Sequence, residues 1–416
     1  MSELRAARPL GLRVVNGLGG ALRTVGLPIV SLDAERLLAG ARRRAQLDDF
    51  GDDAFRDGLT RLVAALDAEA GLTILGRIVA RTDLLRLLQN RLRLVDLRKQ
   101  HAEIDRETIR APIFILGLPR TGTSILHELL AQDPANRVPM TWEVMQPFPP
   151  PRRDTYETDP RIAEVDRHFA GIDRLIPDFK SMHPMGATLP QECVVITQHE
   201  LASMVWHTQF RVPSYQAWLE SADLRPVYEG HRRWLQYYQW AVPGQRWVLK
   251  SPGHLWALDA LLAVYPDARI IQTHRDPVKV IASLVSLVCT LRSLGSDDID
   301  PRAIAADWTA RLADGLDRTM RIRDRAHLPA DRVLDISLRE FMKDEIAVVR
   351  RIYDHWGFAL SAEAEARMRR FLAANRVDKH GRHTYALSLG GLDEATERRR
   401  YAAYQEHYAV PSEAVG

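Results

Sequence analysis

The stretch Pro112–Ser124, P-I-F-I-L-G-L-P-R-T-G-T-S, decides the fold of this chain. It opens with the continuous apolar run Ile113–Leu116, which is typical of a parallel strand covered on both faces. Two glycines and a proline then mark a turn, and apolar residues return at helical spacing in Ile125–Gln132. A strand, a glycine-containing turn and a helix together direct backbone N–H groups and the positive end of a helix dipole at one place. Anions bind at such a place, so the stretch predicts a phosphate-binding loop.

This loop has the spacing of a nucleotide-binding P-loop with one departure. Four residues separate Gly117 from Gly122, as in a P-loop, but Thr123 stands where the P-loop has its lysine. The only cation in the loop is Arg120. A magnesium-dependent phosphotransferase needs that lysine and an acidic metal ligand at the end of a neighbouring strand, and the sequence offers neither. We therefore predict an anion site built from cationic side chains, without a metal.

The composition limits the class of protein. With 416 residues, of which 46% are hydrophobic, the chain can bury a core large enough for one elaborated domain or two. Lysine and arginine number 57 against 54 aspartates and glutamates, and no block of like charge indicates a nucleic-acid partner. The two cysteines, Cys193 and Cys289, lie in apolar contexts. They predict neither a disulfide framework nor a metal cluster, and they favour a reducing, cytoplasmic setting.

The N-terminal part predicts helices that carry no chemistry. Apolar residues recur three and four positions apart in 59–66, 72–79 and 84–97, and Asp83 is expected to cap the last of these helices. In the first thirty residues arginines interrupt the apolar runs, and no run is long enough to span a membrane. Two interpretations of this segment stay open: an amphipathic helix that makes peripheral contact with a membrane, or a helix packed on its own protein.

From residue 112 onward, strands alternate with helices. Further strands are predicted at 247–249, 268–273 and 332–337, whereas the proline-rich stretch 141–151 is not expected to be regular helix. Repeated strand–helix units imply an α/β fold, a P-loop NTPase-like parallel sheet with helices on both faces. The predicted domains are an N-terminal helical extension, 1–110, and a catalytic domain, 111–416, with a helical insertion at about 150–240.

The residues that follow three of the predicted strands should meet at one edge of the sheet. In an open parallel sheet, ligands bind beyond the carboxyl ends of the strands. This places Arg120, Lys250 and Arg275 around one pocket. Three cations in one pocket are costly to leave unpaired, so the arrangement predicts an anionic ligand.

At these residues the sequence resembles sulfotransferases that use 3′-phosphoadenosine 5′-phosphosulfate (PAPS). It resembles a bacterial branch related to tyrosylprotein sulfotransferases, whose loop carries arginine where the steroid and phenol enzymes carry lysine. The resemblance runs from about residue 40 to the C-terminus. The matching segments are G-L-P-R-T-G-T-S at 117–124, T-W-E at 141–143, L-P-Q-E at 189–192, L-K-S-P-G-H at 249–254, T-H-R-D-P at 273–277 with Ser283, and K-H-G-R-H at 379–383.

The resemblance implies a role in donor binding for each matching residue. Arg275 and Ser283, eight positions apart, would hold the 3′-phosphate, and Lys379 and Gly381 resemble an element that closes over it. The residues implied to hold the 5′-phosphosulfate are Arg120, Thr121, Gly122, Thr123 and Ser124.

The resemblance also implies transfer of a sulfuryl group to an acceptor hydroxyl. Arg120 and Lys250 would balance the charge that grows on the leaving phosphate, and a base must take the hydroxyl proton. Glu143 lies in a segment that resembles the one supplying the catalytic glutamate of tyrosylprotein sulfotransferases. His254 resembles the histidine of a Lys-x-His element in the steroid and phenol enzymes, although here it follows its lysine by four positions. Both candidates stay open, and we favour Glu143.

Three functions fit these observations. The first is a cytoplasmic sulfotransferase whose acceptor is a small apolar or lipid-like alcohol, because residues 140–240 are rich in apolar and aromatic side chains. The second is a P-loop kinase or hydrolase without the usual lysine, and the missing acidic metal ligand argues against it. The third is a non-catalytic nucleotide-binding protein of the same fold. The presence of Lys250, Glu143 and His254 together argues against this third function.

Overall fold

The computed structural model describes residues 30–175, 185–375 and 387–414. The strands are β1 (Ile113–Gly117), β2 (Asn136–Arg137), β3 (Arg246–Lys250), β4 (Arg269–His274) and β5 (Val333–Ser337). The α-helices are α1 (Ala34–Ala45), α2 (Phe55–Ala68), α3 (Ile74–Gln100), α4 (Thr123–Leu130), α5 (Thr141–Met145), α6 (Pro160–Leu175), α7 (Cys193–Thr197), α8 (Val205–Gln209), α9 (Pro213–Ser221), α10 (Arg225–Ala241), α11 (Leu258–Val264), α12 (Pro277–Gly295), α13 (Pro301–Ala326), α14 (Leu338–Phe341), α15 (Glu345–His355), α16 (Ala362–Ala374) and α17 (Glu394–His407).

The five strands form one parallel sheet in the order β2-β3-β1-β4-β5. The strand that begins the phosphate-binding loop, β1, is central, and all five of its residues are buried. Its register pairs Phe114 with Leu249 of β3 and with Ile270 of β4. The loop after β1 therefore lies between the ends of β3 and β4. The predicted strands are confirmed to within a residue or two at each end.

Helices cover both faces of the sheet. Phe114 and Leu116 point to one face and belong to a core that includes residues of α10, α12 and α13. Ile113 and Ile115 point to the other face and pack with residues of α4, α15 and α16. The alternation follows from the two-residue period of a strand, and burial on both faces explains why β1 is apolar throughout. This architecture confirms the predicted fold class.

The N-terminal helices share a core with a later part of the chain. Side chains of α1, α2 and α3 pack with Leu201, Trp206 and Tyr215 in one apolar cluster. Across this cluster the buried side chains of Arg91 and Glu200 form an ion pair of 2.5 Å. The helices are thus tied to the region that precedes α10. The predicted division at residue 110 stays a prediction.

Two local predictions were wrong. Residues 74–79 and the segment 84–97 lie in one continuous helix, α3, capped by the Thr73 hydroxyl, which accepts from the Gly76 N–H at 3.1 Å. Asp83 lies inside this helix and pairs with Arg86 at 3.3 Å, because no proline or glycine interrupts the helical pattern there. In the stretch 141–151, the first five residues form the short helix α5, since the prolines begin only at Pro147.

The predicted amphipathic segment at the N-terminus lies almost entirely in residues 1–29, outside the described residues. Among the helices that are described, none combines the length and the apolar character needed to cross a membrane.

Candidate active site

The loop between β1 and α4 depends on two glycines. Gly117 has φ 149° and Gly122 has φ 89°, a region of backbone conformation that favours glycine. A Cβ atom on Gly117 would lie 2.3 Å from the Thr273 hydroxyl oxygen, so the loop passes close to β4. Gly122 directly precedes α4, which places the first N–H groups of that helix at the loop.

The loop is also held by side-chain hydrogen bonds. The buried Thr121 hydroxyl lies 2.6 Å from the Leu118 carbonyl oxygen and 2.6 Å from the Thr273 hydroxyl. Thr123 is buried as well, whereas the Arg120 residue is exposed and has φ 65°. A non-glycine residue in this conformation persists where surrounding contacts hold it, as the threonine contacts do here. The result is a preformed turn with its cation towards solvent.

Lys250 joins the end of β3 to this loop. Its buried ammonium group donates to the Ser124 hydroxyl at 3.1 Å and forms an ion pair with Glu192. Glu192 precedes α7 directly and keeps 18% of its side chain exposed. A buried ammonium needs such a partner to offset its lost hydration. Lys250 therefore contacts both the phosphate-binding loop, at Ser124, and the L-P-Q-E segment, at Glu192.

Arg275 joins the end of β4 to the same loop. One N–H of its guanidinium donates to the carbonyl oxygen of Arg120 at 3.0 Å. Its Nε and Nη2 donate to the two carboxylate oxygens of Glu413, each at 2.8 Å. Ser283 is buried in the second turn of α12, which begins after Asp276. Lys379 and Gly381, the other two residues predicted at this site, lie outside the described residues.

Glu143 lies in the core, fully buried within α5. One carboxylate oxygen forms an ion pair with Arg137, and the other accepts from the Tyr156 hydroxyl at 2.9 Å and from the Met140 N–H at 3.3 Å. Burial lowers the pKa of Arg137, but the neighbouring Glu143 and Tyr156 outweigh burial and raise it above its ordinary value. All three partners of this carboxylate lie in residues 137–156, so it closes a structural network. Its predicted role as the base stays a prediction.

His254 is also buried, in a 3₁₀ turn after β3. Its Nδ1 lies 2.6 Å from the Tyr228 hydroxyl, and its ring meets the Phe114 ring edge to face. Burial lowers the pKa of His254 well below its ordinary value, and the charges of His231 and Lys250 lower it further. The imidazole is therefore neutral at physiological pH. Its Nε2 has no hydrogen-bond partner among the residues that the structure covers.

A largely apolar cavity lies beside this histidine. Its walls come from α7, the segment before α8, the helix α9, the start of α10 and the turn after β3. Two of its lining residues, Cys193 and Ser251, follow Glu192 and Lys250 directly in the chain. Met204, Leu224, Tyr228 and His254 also line the cavity. Lys250 and Glu192 do not line the cavity, but their chain neighbours do.

Sequence reasoning missed two residues of this site. Glu192 lies in a matching segment, L-P-Q-E, but no role followed from its position. Glu413 is 138 positions from Arg275, and no local pattern connects the two. Within the described ranges, no three His, Cys, Asp or Glu side chains are grouped to hold a metal ion. The predicted metal independence stays a prediction.

Comparisons with known proteins agree on one family. A profile described as "Sulfotransferase family" matches residues 112–362, more than half of the chain. Over 286 residues the chain is 26% identical to the omega-hydroxy-beta-dihydromenaquinone-9 sulfotransferase Stf3 of Mycobacterium bovis, a match that covers 64% of this chain and 68% of that protein.

Two crystal structures of mycobacterial sulfotransferases share the fold over nearly the whole chain. STF1 from Mycobacterium tuberculosis H37Rv has a TM-score of 0.78 at 35% identity, covering 89% of this chain and 98% of that one. STF9 from Mycobacterium avium has a TM-score of 0.85 at 31% identity, covering 93% and 98%. These relatives confirm the predicted family and the prediction of a sulfuryl-transferring enzyme. The chain belongs to the sulfotransferase family, among its bacterial, PAPS-dependent members.

Proposed function

We propose that the loop 120–124 binds the 5′-phosphosulfate of PAPS and that Arg275, with Ser283, binds the 3′-phosphate. One observation carries this proposal: the ends of β1, β3 and β4 bring the loop N–H groups, Lys250 and Arg275 to one edge of the sheet. The bidentate contact of Arg275 with a carboxylate supports it further. A guanidinium fork oriented for two carboxylate oxygens also suits two phosphate oxygens.

Lys250 and Arg120 would supply the electrostatic part of catalysis. During sulfuryl transfer the bond from sulfur to the bridging phosphate oxygen breaks, and negative charge grows on that oxygen. Preorganised cations and N–H groups at this position lower the barrier without reorganisation at the moment of reaction. Lys250 is suited to this role because it already contacts Ser124 in the first turn of α4.

Glu192 is the proton acceptor that the geometry supports best. Its carboxylate is partly exposed and contacts Lys250, whereas the Glu143 carboxylate is fully buried and paired with Arg137. Taking the hydroxyl proton would neutralise Glu192 and release the charge of Lys250 as the leaving phosphate becomes more negative. The neutral His254 beside the cavity is a second candidate, although a lowered pKa makes it a weaker base.

The acceptor is proposed to be a hydroxyl of a small apolar or lipid-like molecule. The apolar cavity beside Lys250 and Glu192 supports this, because ligand pockets for such molecules are lined mainly by apolar side chains with few polar groups. The name of the relative Stf3 gives a hydroxylated menaquinone derivative as its substrate. Peripheral membrane contact through the N-terminal segment and a cytoplasmic location stay proposals.

The donor assignment is tested by thermal denaturation with 3′-phosphoadenosine 5′-phosphate (PAP) beside ADP with magnesium. At a hundred times its dissociation constant, a ligand adds about 2.7 kcal/mol to the free energy of unfolding. We expect PAP to stabilise the wild type strongly, ADP with magnesium much less, and Arg275→Ala to abolish the difference. Equal stabilisation by both nucleotides would contradict the proposal that Arg275 recognises a 3′-phosphate.

A further inference from the structure

The segment 411–414 lies across the end of β4, at the proposed 3′-phosphate position. The two oxygens of the Glu413 carboxylate accept from Nε and Nη2 of Arg275, both at 2.8 Å. This is the fork geometry in which arginine binds carboxylate or phosphate. Since one N–H of Nη1 donates to the Arg120 carbonyl oxygen, the guanidinium is bonded on two sides. Glu413 therefore uses the edge of Arg275 that an incoming phosphate needs.

The backbone of the same segment is held as well. The Glu413 N–H donates to a carboxylate oxygen of Asp276 at 2.7 Å, and its carbonyl oxygen accepts from Arg398 at 2.7 Å. Lys279, in the first turn of α12, donates to the carbonyl oxygen of Ala414 at 2.9 Å. Arg398 also pairs with the fully buried Asp276. Glu413 is thus positioned by its main chain, not only by a flexible surface contact.

The ion pair between Arg275 and Glu413 is exposed enough for another anion to displace Glu413. Arg275 keeps 22% of its side chain exposed and Glu413 keeps 37%. Ion pairs with this exposure contribute little stability, because water screens them. A 3′-phosphate carries more charge than a carboxylate and has a third oxygen, so it competes well for the same guanidinium. The two anions repel one another and do not share that edge.

We propose that Glu413 is an internal competitor for the 3′-phosphate, and that the segment 411–414 closes the nucleotide site until the donor displaces it. The proposal rests on the assignment of Arg275 to the 3′-phosphate made above. A protein whose binding-competent state is only partly populated shows an apparent affinity reduced by that fraction. Removing the Glu413 charge therefore tightens binding of a 3′-phosphorylated nucleotide without any new contact.

The test is calorimetric titration of the full chain with PAP and, separately, with ADP. Three proteins are compared: the wild type, Glu413→Gln, and the control Glu406→Gln, which removes an exposed carboxylate in α17. We expect Glu413→Gln to bind PAP roughly 3- to 10-fold more tightly, as the competent fraction rises, and Glu406→Gln to match the wild type. A second variant, Glu413→Ala, removes the whole side chain and should give at least the same gain.

The outcomes distinguish the proposed role of Glu413 from the proposed donor site at Arg275. PAP affinity that is unchanged or weaker in both Glu413 variants would overturn the competitor role while leaving the donor assignment intact. PAP binding no tighter than ADP binding in all proteins, including the wild type, would overturn the donor assignment itself. An equal gain in Glu406→Gln would show that general charge removal, not the contact with Arg275, is responsible.

Discussion

The ammonium nitrogen of Lys250 lies 3.1 Å from the hydroxyl oxygen of Ser124, and this contact joins the end of β3 to the first turn of α4. The two residues are 126 positions apart in the sequence. Their contact places a buried positive charge beside the helix N-terminus where the proposed phosphosulfate lies. The charge is balanced by Glu192 on its other side.

Lys250→Met should remove this charge while keeping most of the side-chain volume. We expect turnover to fall by about 10²–10³-fold, as for loss of a preorganised electrostatic group. Lys343→Met, which removes an exposed lysine, is the matched control and should retain activity. The measurement is the steady-state rate of sulfate transfer with saturating PAPS. A Lys250→Met enzyme with normal turnover would exclude Lys250 from catalysis.

Glu192→Gln should separate catalysis from donor binding. Losing the base reduces turnover by about 10²–10⁴-fold, while stabilisation by PAP stays close to that of the wild type. The pH dependence of kcat/KM should lose its acidic limb, because that limb reports the base of the free enzyme. If turnover changes less than a few-fold, Glu192 serves only as the counter-ion of Lys250, and His254 becomes the leading base.

Glu143→Gln should instead affect folding. Breaking a buried ion pair by neutralising one partner costs about 3–5 kcal/mol, because Arg137 is left buried without its counter-charge. We expect a marked fall in the urea midpoint, measured by fluorescence, with any remaining folded enzyme retaining donor binding. A variant of normal stability that has lost turnover would reinstate Glu143 as the base.

Gly117→Ala should damage the loop selectively. Its Cβ would lie 2.3 Å from the Thr273 hydroxyl oxygen, at a φ of 149° that alanine rarely adopts. Gly171→Ala is the matched control, because nothing lies within 4 Å of its Cβ in α6, and alanine there should stabilise the helix by about 0.5–1 kcal/mol. Thermal denaturation with and without PAP measures both effects. Normal PAP binding by Gly117→Ala would show that the loop tolerates a different backbone path.

The strands of the sheet could be predicted from the sequence, whereas the partners of the charged side chains could not. The sheet was predictable because each core strand is a continuous apolar run bounded by turn residues, and this signal is local. The partners of the charged residues were not predictable, because they come from distant positions or depend on how helices pack. Glu143 is part of the recognisable segment T-W-E, yet its pairing with Arg137 depends on how α5 packs. The contact of Glu413 with Arg275 joins residues 138 positions apart. The single helix α3 was missed because a possible cap at Asp83 outweighed the absence of a helix breaker.

Acid should destabilise this protein below neutral pH through its buried histidines, whose pKa values burial lowers. Burial is the main cause that lowers the pKa of His127, His199 and His231 from 6.5 to about 3. The unfolded chain therefore binds protons below about pH 6.5 that the folded chain does not. The contribution of each such group to the free energy of unfolding is fully present above that pH. It declines by about 1.4 kcal/mol per pH unit as the pH falls towards 3.

The measurement is the free energy of unfolding in urea at pH 7, 6 and 5. His231→Gln should reduce the slope, since one of these buried groups no longer titrates, whereas His168→Gln, at an exposed position, should leave it unchanged. A wild-type protein equally stable at pH 5 and pH 7 would argue against neutral burial of these imidazoles.

The order of the strands has a consequence for how such enzymes diversify. Because β1 is central, β3 and β4 lie on opposite sides of it. The proposed acceptor cavity and Lys250 are on the β3 side, and Arg275 is on the β4 side. Selection can therefore reshape one half of the molecule for new alcohols while the nucleotide half stays the same. Engineering the acceptor range should begin with the cavity walls around Met204 and Leu224, which belong neither to the loop 120–124 nor to the Arg275 contact.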